Sequence, residues 1–146
     1  MLRPRPSRIA DLLAPACEAH GVEHVATDVD AEVDVRVVTR ILRLLLDNVS
    51  RHTPVGTACR VSATREGPDL VLAVEDEGTG IPVDERCRVL LPFEQGTNRR
   101  DHAPGVGVGL TIVANLARRH GGTVRVDERP GGGTRVRVRL RTGRFA

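Results

Sequence analysis

The stretch from Ala103 to Gly122, APGVGVGLTIVANLARRHGG, carries three alternating glycines ahead of an apolar helical pattern. Gly105, Gly107 and Gly109 remove side chains from one length of backbone, as is required where a chain bends sharply or touches a ligand. The first turn of a helix has free backbone N–H groups at its positive end, and these attract phosphate. The stretch therefore predicts either a phosphate-binding site or an ordinary junction between a loop and a helix.

A dinucleotide fingerprint is a weaker interpretation of the same glycines. That motif needs a further glycine where this sequence has Leu110, and it needs a strand immediately before the glycines. A charged loop that contains a proline precedes them instead. The sequence therefore disfavours a Rossmann-type site.

The composition excludes several classes of protein. The 146 residues fit a single domain, expected to span residues 1–146, with a formal net charge of +3. All 22 basic residues are arginine, so a Walker P-loop lysine, the lysine of serine, threonine and tyrosine kinases and a Schiff-base lysine are all missing. The three cysteines lack CxxC spacing, which disfavours a zinc site. The mild charge and the two aromatic residues disfavour a nucleic-acid partner.

Hydrophobic periodicity predicts a mixture of helices and strands. Ser7 is expected to cap a first helix, and Asp34 is expected to cap the main helix, which ends before Pro54. Helices are predicted at 8–21, 35–53, 83–90 and 110–122, strands at 22–29, 57–66 and 69–76, and a hairpin at 123–140. This order predicts an α/β (α+β) two-layer sandwich, in which one mixed, largely antiparallel sheet has about three helices on one face.

Two further motifs carry polar groups that suit a nucleotide. Asp76 ends an apolar strand beside Gly78 and Gly80, so its carboxylate can accept a hydrogen bond from an exocyclic amine such as that of adenine. Asn48 lies in an apolar helix and offers an amide oxygen to a hard cation such as Mg²⁺. Each motif also has a plain structural interpretation, as a surface turn and as an exposed helix end.

Five motifs in order resemble the N box, the glycine boxes and the F box of a sensor histidine kinase catalytic domain. They are LLLDNVSRHTP (44–54), VEDEGTGIP (74–82), LLPFEQGTN (90–98), GVGVGLTIVANLARRHGG (105–122) and GGGTRVRVRL (131–140). The wider superfamily includes gyrase, heat-shock chaperones and mismatch-repair proteins. The resemblance covers about residues 34–140 and implies a Bergerat-type ATP-binding fold.

This resemblance implies a site for ATP and Mg²⁺. Asn48 takes the position of the magnesium-binding asparagine, Asp76 that of the adenine-reading aspartate, and Arg51 that of the basic residue that positions the phosphates. A mobile ATP lid is implied at about 94–108. The residues implied to contact the nucleotide are Asn48, Arg51, His52, Asp76, Gly78, Gly80, Ile81, Gly105, Gly107, Gly109, Leu110 and Thr134.

The sequence departs from the family pattern at three positions. Leu44 stands where kinases usually carry asparagine and the hydrolysing relatives carry a glutamate, so we expect slow ATP hydrolysis and weaker binding of Mg²⁺. In the F box, Leu90 replaces a phenylalanine and Gln95 a basic residue, so we expect a lid that docks less firmly.

No histidine of this chain is followed directly by an acidic residue, so the dimerisation domain with its phosphoacceptor histidine is expected to be absent. The resemblance implies transfer of the γ-phosphoryl group of ATP to a histidine on that separate domain, with a response regulator downstream. No catalytic nucleophile is expected in this chain, and no autophosphorylation by the chain alone. No apolar run reaches the roughly 20 residues of a membrane span. We therefore expect a cytoplasmic domain, or the cytoplasmic part of a membrane-bound sensor.

Three alternatives stay open. One is a degenerate module that binds nucleotide or a partner without transferring phosphate, which the three departures allow. Another is an anti-sigma-type serine kinase, which Leu44 disfavours. The third is a nucleic-acid-binding module, suggested by the alternating arginines of TRVRVRLR (134–141). That alternation is better explained as the solvated face of a strand whose other face is buried.

Overall fold

The structure is a computed structural model that describes residues 2–25, 29–78 and 106–142, apart from the side chains of residues 52 and 106–108. The helices of this part are α1 (Ile9–His20), α2 (Val35–His52) and α3 (Val106–Arg119). The strands are β1 (Arg5–Arg8), β2 (Glu23–Val25), β3 (Asp30–Val33), β4 (Cys59–Glu66), β5 (Asp69–Asp76), β6 (Thr123–Glu128) and β7 (Thr134–Arg141). The predicted helix at 83–90 and most of the predicted lid lie outside the described residues.

Five strands form the main sheet in the order β2-β4-β5-β7-β6. Strand β2 runs parallel to β4, and the other neighbours are antiparallel. The two predicted hairpins, β4–β5 and β6–β7, are therefore confirmed. So is the predicted sandwich with a mixed, largely antiparallel sheet, to which the described part contributes three helices.

The core lies between one face of this sheet and the helices. Alternate residues of β5 and β7 face the helices and stand opposite each other in the register, as in Leu70 with Leu140 and Leu72 with Val138. All four of these side chains are fully buried. Burying a side chain of this size stabilises the fold by roughly 1.5–3 kcal/mol. None of the described helices is both long enough and apolar enough to cross a membrane.

Helix α2 begins as the sequence predicts. The Asp34 carboxylate accepts hydrogen bonds from the backbone N–H of Arg36 at 3.0 Å and of Arg3 at 2.8 Å. Burial works against the charge, but these hydrogen bonds hold the pKa of Asp34 below its ordinary value. The cap is therefore ionised and satisfies backbone donors of the first turn.

The start of α1 differs from the prediction. Ser7 does not cap this helix, because it lies in β1, and its hydroxyl donates to the Arg5 carbonyl at 3.0 Å. Arg8 takes the N-cap position and makes no capping hydrogen bond with its side chain. The reason is that β1 pairs antiparallel with β3, which holds Ser7 in an extended conformation. Neither strand of that pair was predicted with these bounds.

The start of α3 also differs. This helix begins at Val106 rather than at Leu110, so Gly107 and Gly109 lie within its first turn instead of before it. Glycine lowers helix stability by about 1 kcal/mol relative to alanine in a helix interior. The N–H groups of the first turn have no acceptor within the helix. A glycine in this turn therefore weakens no hydrogen bond that its own N–H would make to the helix.

Candidate functional site

Asp76 is a buried carboxylate at the end of β5. Its side chain accepts a hydrogen bond from the Gly78 N–H at 2.9 Å and another from the backbone N–H of Thr134. The residue is only 7% exposed, and this burial raises the pKa of Asp76, although the two N–H donors and the charge of Arg129 oppose the rise. A carboxylate has about four acceptor positions, so this one keeps capacity for a further donor.

Bare backbone surrounds this carboxylate. A Cβ atom on Gly78 would lie 2.9 Å from the Asp76 Oδ1 and 2.9 Å from the Thr53 Cγ2. A Cβ atom on Gly133, which has a φ of +105°, would lie 2.0 Å from the Asp76 carbonyl oxygen. Only glycine lets the chain approach Asp76 so closely at these two positions. Thr53 directly follows α2, so the close approach also brings the C-terminal end of this helix to Asp76.

Helix α2 carries two polar side chains in the turns that precede Thr53. Asn48 and Arg51 are three residues apart and therefore lie on one face of the helix. Asn48 is half-buried and Arg51 is exposed. Within the described ranges 2–25, 29–78 and 106–142, no hydrogen bond or ion pair reaches either side chain. Both groups are thus available to a ligand.

A metal ion at this site would need oxygen ligands from outside the chain. Among the described residues, no group of three or more histidine, cysteine or acidic side chains could hold a metal ion. Mg²⁺ usually keeps several waters and binds through one or two protein oxygens together with substrate phosphates. The free amide of Asn48 fits such an ion, with phosphates and waters as the other ligands.

The remaining predicted site residues are spread over several elements. Thr134 is buried opposite Asp76 in the β5–β7 register. Leu110 is 1% exposed and belongs to the hydrophobic core, so its side chain packs inside the fold. Gly107 and Gly109 lie in the first turn of α3, which packs against α2. His52 ends α2, but its side chain lies outside the described part, as do Gly80, Ile81 and Gly105.

Sequence reasoning missed three residues around Asp76. Thr53 and Gly133 make the close approaches given above, and Cys59 stands opposite Asp76 in the β4–β5 register. Burial raises the pKa of the Cys59 thiol to about 12, with a further contribution from the charge of Asp76, so the thiol stays protonated. The signal for Cys59 was the hairpin itself. A two-residue turn at Gly67 and Pro68 pairs Glu66 with Asp69, and counting back along both strands places Cys59 opposite Asp76.

Leu44 is the departure that the structure describes. It is half-buried and packs against the hydrophobic core. Leu44 lies four residues before Asn48 and therefore on the same face of α2. An apolar side chain occupies the position from which the resemblance expects a polar contact.

Comparisons with known proteins identify relatives of this chain. The chain is 34% identical over 109 residues to the alginate biosynthesis sensor protein KinB of Pseudomonas aeruginosa, an alignment that takes in 75% of this chain and 18% of KinB. It is 35% identical over 121 residues to the signal transduction histidine-protein kinase AfsQ2 of Streptomyces coelicolor, covering 79% of this chain and 22% of AfsQ2. The chain thus spans about a fifth of the length of these relatives.

A solved structure matches this chain over nearly the full length of both. The mycobacterial sensor histidine kinase MprB superimposes with a TM-score of 0.75 at 26% identity, over 96% of this chain and 98% of the other. Residues 33–144 match the profile of the histidine kinase-, DNA gyrase B- and HSP90-like ATPases. This range includes every residue placed at the site above. The chain therefore belongs to that ATPase family, and its recognition as the catalytic and ATP-binding domain of a sensor histidine kinase is confirmed.

Proposed function

We propose that this chain binds Mg-ATP and transfers the γ-phosphoryl group to a histidine on a separate dimerisation domain, as part of two-component signal transduction. One relative is named as a sensor protein and another as a signal transduction histidine-protein kinase. A response regulator would receive the phosphoryl group from that histidine. The domain would then act in the cytoplasm, as part of a longer sensor.

The buried carboxylate of Asp76 carries this proposal. Transfer of a charged group into the protein interior is unfavourable unless its hydrogen bonds are complete, and such groups gather at functional sites. Asp76 receives backbone donors from Gly78 and Thr134, and it retains capacity for one more donor. The exocyclic amine of adenine is a donor of the right kind. Thr53 and Gly133 would then form the walls beside the base.

The phosphate end of the site would lie along α2. Asn48 offers a free amide oxygen to the metal ion, and Arg51 offers a free guanidinium group one turn further along. Mg²⁺, when bound, supplies positive charge between the phosphates. Arg51 would hold the phosphate tail in position, because a guanidinium group binds phosphate oxygens in a fixed fork geometry. Phosphoryl transfer depends mainly on such positioning and charge, so the chain itself needs no nucleophile.

Titration calorimetry with Mg-ATP tests nucleotide binding. We expect a dissociation constant between micromolar and millimolar, or roughly 4–8 kcal/mol of binding free energy. Asp76→Asn should remove the preference for ATP over GTP, because the amide that replaces the carboxylate cannot read the adenine amine in the same way. Asp69→Asn is the matched control, since Asp69 begins the same strand and lies at its opposite end. Absence of any heat with ATP would refute the proposal, as would a retained preference for ATP in Asp76→Asn.

A binding module without transferase activity is the second candidate, and Leu44 favours it, because its side chain offers no polar contact to the terminal phosphate. The two candidates differ in one assay. The domain is mixed with labelled ATP and with the separately expressed histidine hairpin of the same parent protein. An acid-labile label on the hairpin supports the kinase. Binding of ATP without any label supports the binding module, and Leu44→Asn then tests whether the missing polar group is the reason.

A further inference from the structure

Helix α2 continues the candidate site beyond Leu44. Arg40, Leu44, Asn48 and Arg51 follow each other at spacings of four, four and three residues, which places them in one row on the helix surface. Asn48 and Arg51 are the proposed metal and phosphate contacts. Arg40 stands at the other end of this row, on the far side of Leu44 from Asn48. The row thus has a cationic side chain at each end.

The direction of the row follows from the position of Asp76. Thr53, which follows the last residue of α2, lies close to Gly78 beside the Asp76 carboxylate. The base of a bound nucleotide would therefore lie at the C-terminal end of this helix. Its phosphate tail would then extend toward the N-terminal end, past Asn48 and Leu44. Arg40 lies eight residues before Asn48, about 12 Å along the helix axis. A long arginine side chain bridges part of this distance.

The guanidinium group of Arg40 is free to take a ligand. It is exposed, and within residues 2–25, 29–78 and 106–142 no acceptor pairs with it. Arg40 and Leu44 line an open groove of about 540 Å³ along α2. Asp47 also lines the groove, but its carboxylate accepts from His20 at 3.1 Å. The carboxylate of Asp34, which begins the helix, accepts from the Arg36 N–H.

We propose that Arg40 binds the terminal phosphate of the nucleotide and supplies, from the next turn of α2, the polar contact that Leu44 does not provide. This inference rests on the proposed function. The occupant of the groove is the polyphosphate tail of the nucleotide, because Arg40 and Leu44, which line the groove, belong to the same row on α2 as Asn48. A free guanidinium group also suits a phosphate oxygen. Arg40 would act as a positioning residue for the terminal phosphate.

A nucleotide series measures this contact. Affinities of the whole chain for Mg-ATP, Mg-ADP and AMP are compared in the wild type, in Arg40→Ala and in Arg40→Lys. Losing a hydrogen bond to a charged group should weaken ATP binding about tenfold, ADP binding less and AMP binding by less than about twofold. Arg40→Lys should recover part of the loss because it keeps the charge. Alanine is the best helix former, so the exposed substitution leaves α2 intact, which circular dichroism verifies.

Arg43→Ala is the matched control. Arg43 is exposed on the same helix and also lines the groove, but it is rotated by about 60° away from Arg40 around the helix axis. Both variants remove one positive charge within about a Debye length of the row, so a general field would weaken ATP binding equally in both. A larger loss in Arg40→Ala supports the contact. Equal losses in the two variants, or an equal loss for AMP and ATP in Arg40→Ala, would overturn it. If the wild type bound no ATP at all, the proposed function would fail instead.

Discussion

Replacing His120 with leucine should destabilise the fold far more than its position after the last turn of α3 suggests. The imidazole is completely buried. Its Nε2 accepts a hydrogen bond from the Asp34 N–H at 3.0 Å, and its Nδ1 donates to the Arg141 carbonyl at 3.1 Å. A backbone N–H only donates and a carbonyl only accepts, so the ring is neutral with its proton on Nδ1. This ring connects the end of α3, the N-cap of α2 and the last residue of β7.

The magnitude follows from the two backbone groups that lose their partner. Leucine fills a similar volume but has no polar atom, so the Asp34 N–H loses a buried hydrogen bond and the Arg141 carbonyl loses a partly buried one. An unsatisfied buried group costs about 1–3 kcal/mol. The partly buried hydrogen bond of the Arg141 carbonyl adds about 0.5–1.5 kcal/mol. The expected loss is therefore about 1.5–4.5 kcal/mol, against a total stability of about 5–15 kcal/mol for a domain. His120→Gln retains an acceptor near the Nε2 position, so about half of the loss should be recovered.

Urea denaturation followed by circular dichroism measures this loss, because the free energy of unfolding extrapolates linearly to water. His20→Leu is the matched control. His20 bonds to Asp47 at the surface, and an exposed pair of this kind contributes about 0–1 kcal/mol. A loss below about 1 kcal/mol in His120→Leu, or a loss equal to that of His20→Leu, would refute the reasoning.

Three further outcomes follow from named contacts. Gly133→Ala should destabilise the fold by at least about 2 kcal/mol more than Gly132→Ala in thermal denaturation, because both glycines have positive φ but only Gly133 would place its Cβ against Asp76. Burial opposes the charge of Asp127, but hydrogen bonds from Arg135 and Arg137 lower its pKa. The ionised carboxylate therefore stabilises the fold, and this stabilisation disappears as the pH falls through the lowered pKa. Asp127→Asn should accordingly lose less stability at acid pH than the wild type does. An acid profile identical to the wild type would contradict this, with Glu128→Gln as control. For Asp76 the pH dependence is the reverse, because its pKa is raised. The stability of the wild type relative to Asp76→Asn should therefore decrease as the pH rises. A stability difference between the two proteins that stays constant with pH would contradict this prediction.

The sequence predicted the elements with strong periodicity. Helix α2 has apolar residues three and four apart and an aspartate cap, and the two hairpins have alternating strands joined by glycine, so local pattern and tertiary packing agree. Strand β1 escaped prediction because Arg5–Arg8 contains a proline and two arginines, and its pairing with β3 depends on a segment about 25 residues away. A pairing of this kind has no local signal.

The candidate site divides in a similar way. Asp76 and Asn48 were predicted because a polar group interrupts an apolar pattern at each position. Thr53, Gly133 and His120 were not assigned to their contacts, because these exist only after the sheet has brought β7 beside β5 and α3 beside α2. A buried histidine between three elements looks, in the sequence, like any residue at a helix end.

Two of the buried titratable groups, His120 and Asp76, contribute to the protein in opposite ways. His120 completes the hydrogen bonds of two backbone groups, so the fold itself explains its presence. Asp76 has a raised pKa, which means that the folded state binds its proton more tightly than the unfolded state does. Stability therefore decreases as the pH rises from the ordinary value of an aspartate to the raised value, and the penalty is complete above that value. Above the raised value the charge of Asp76 opposes folding, and a group that opposes folding needs another reason to be present. A ligand that donates a hydrogen bond to this carboxylate supplies such a reason, because that hydrogen bond compensates in the complex for the stability that the buried charge costs the free domain.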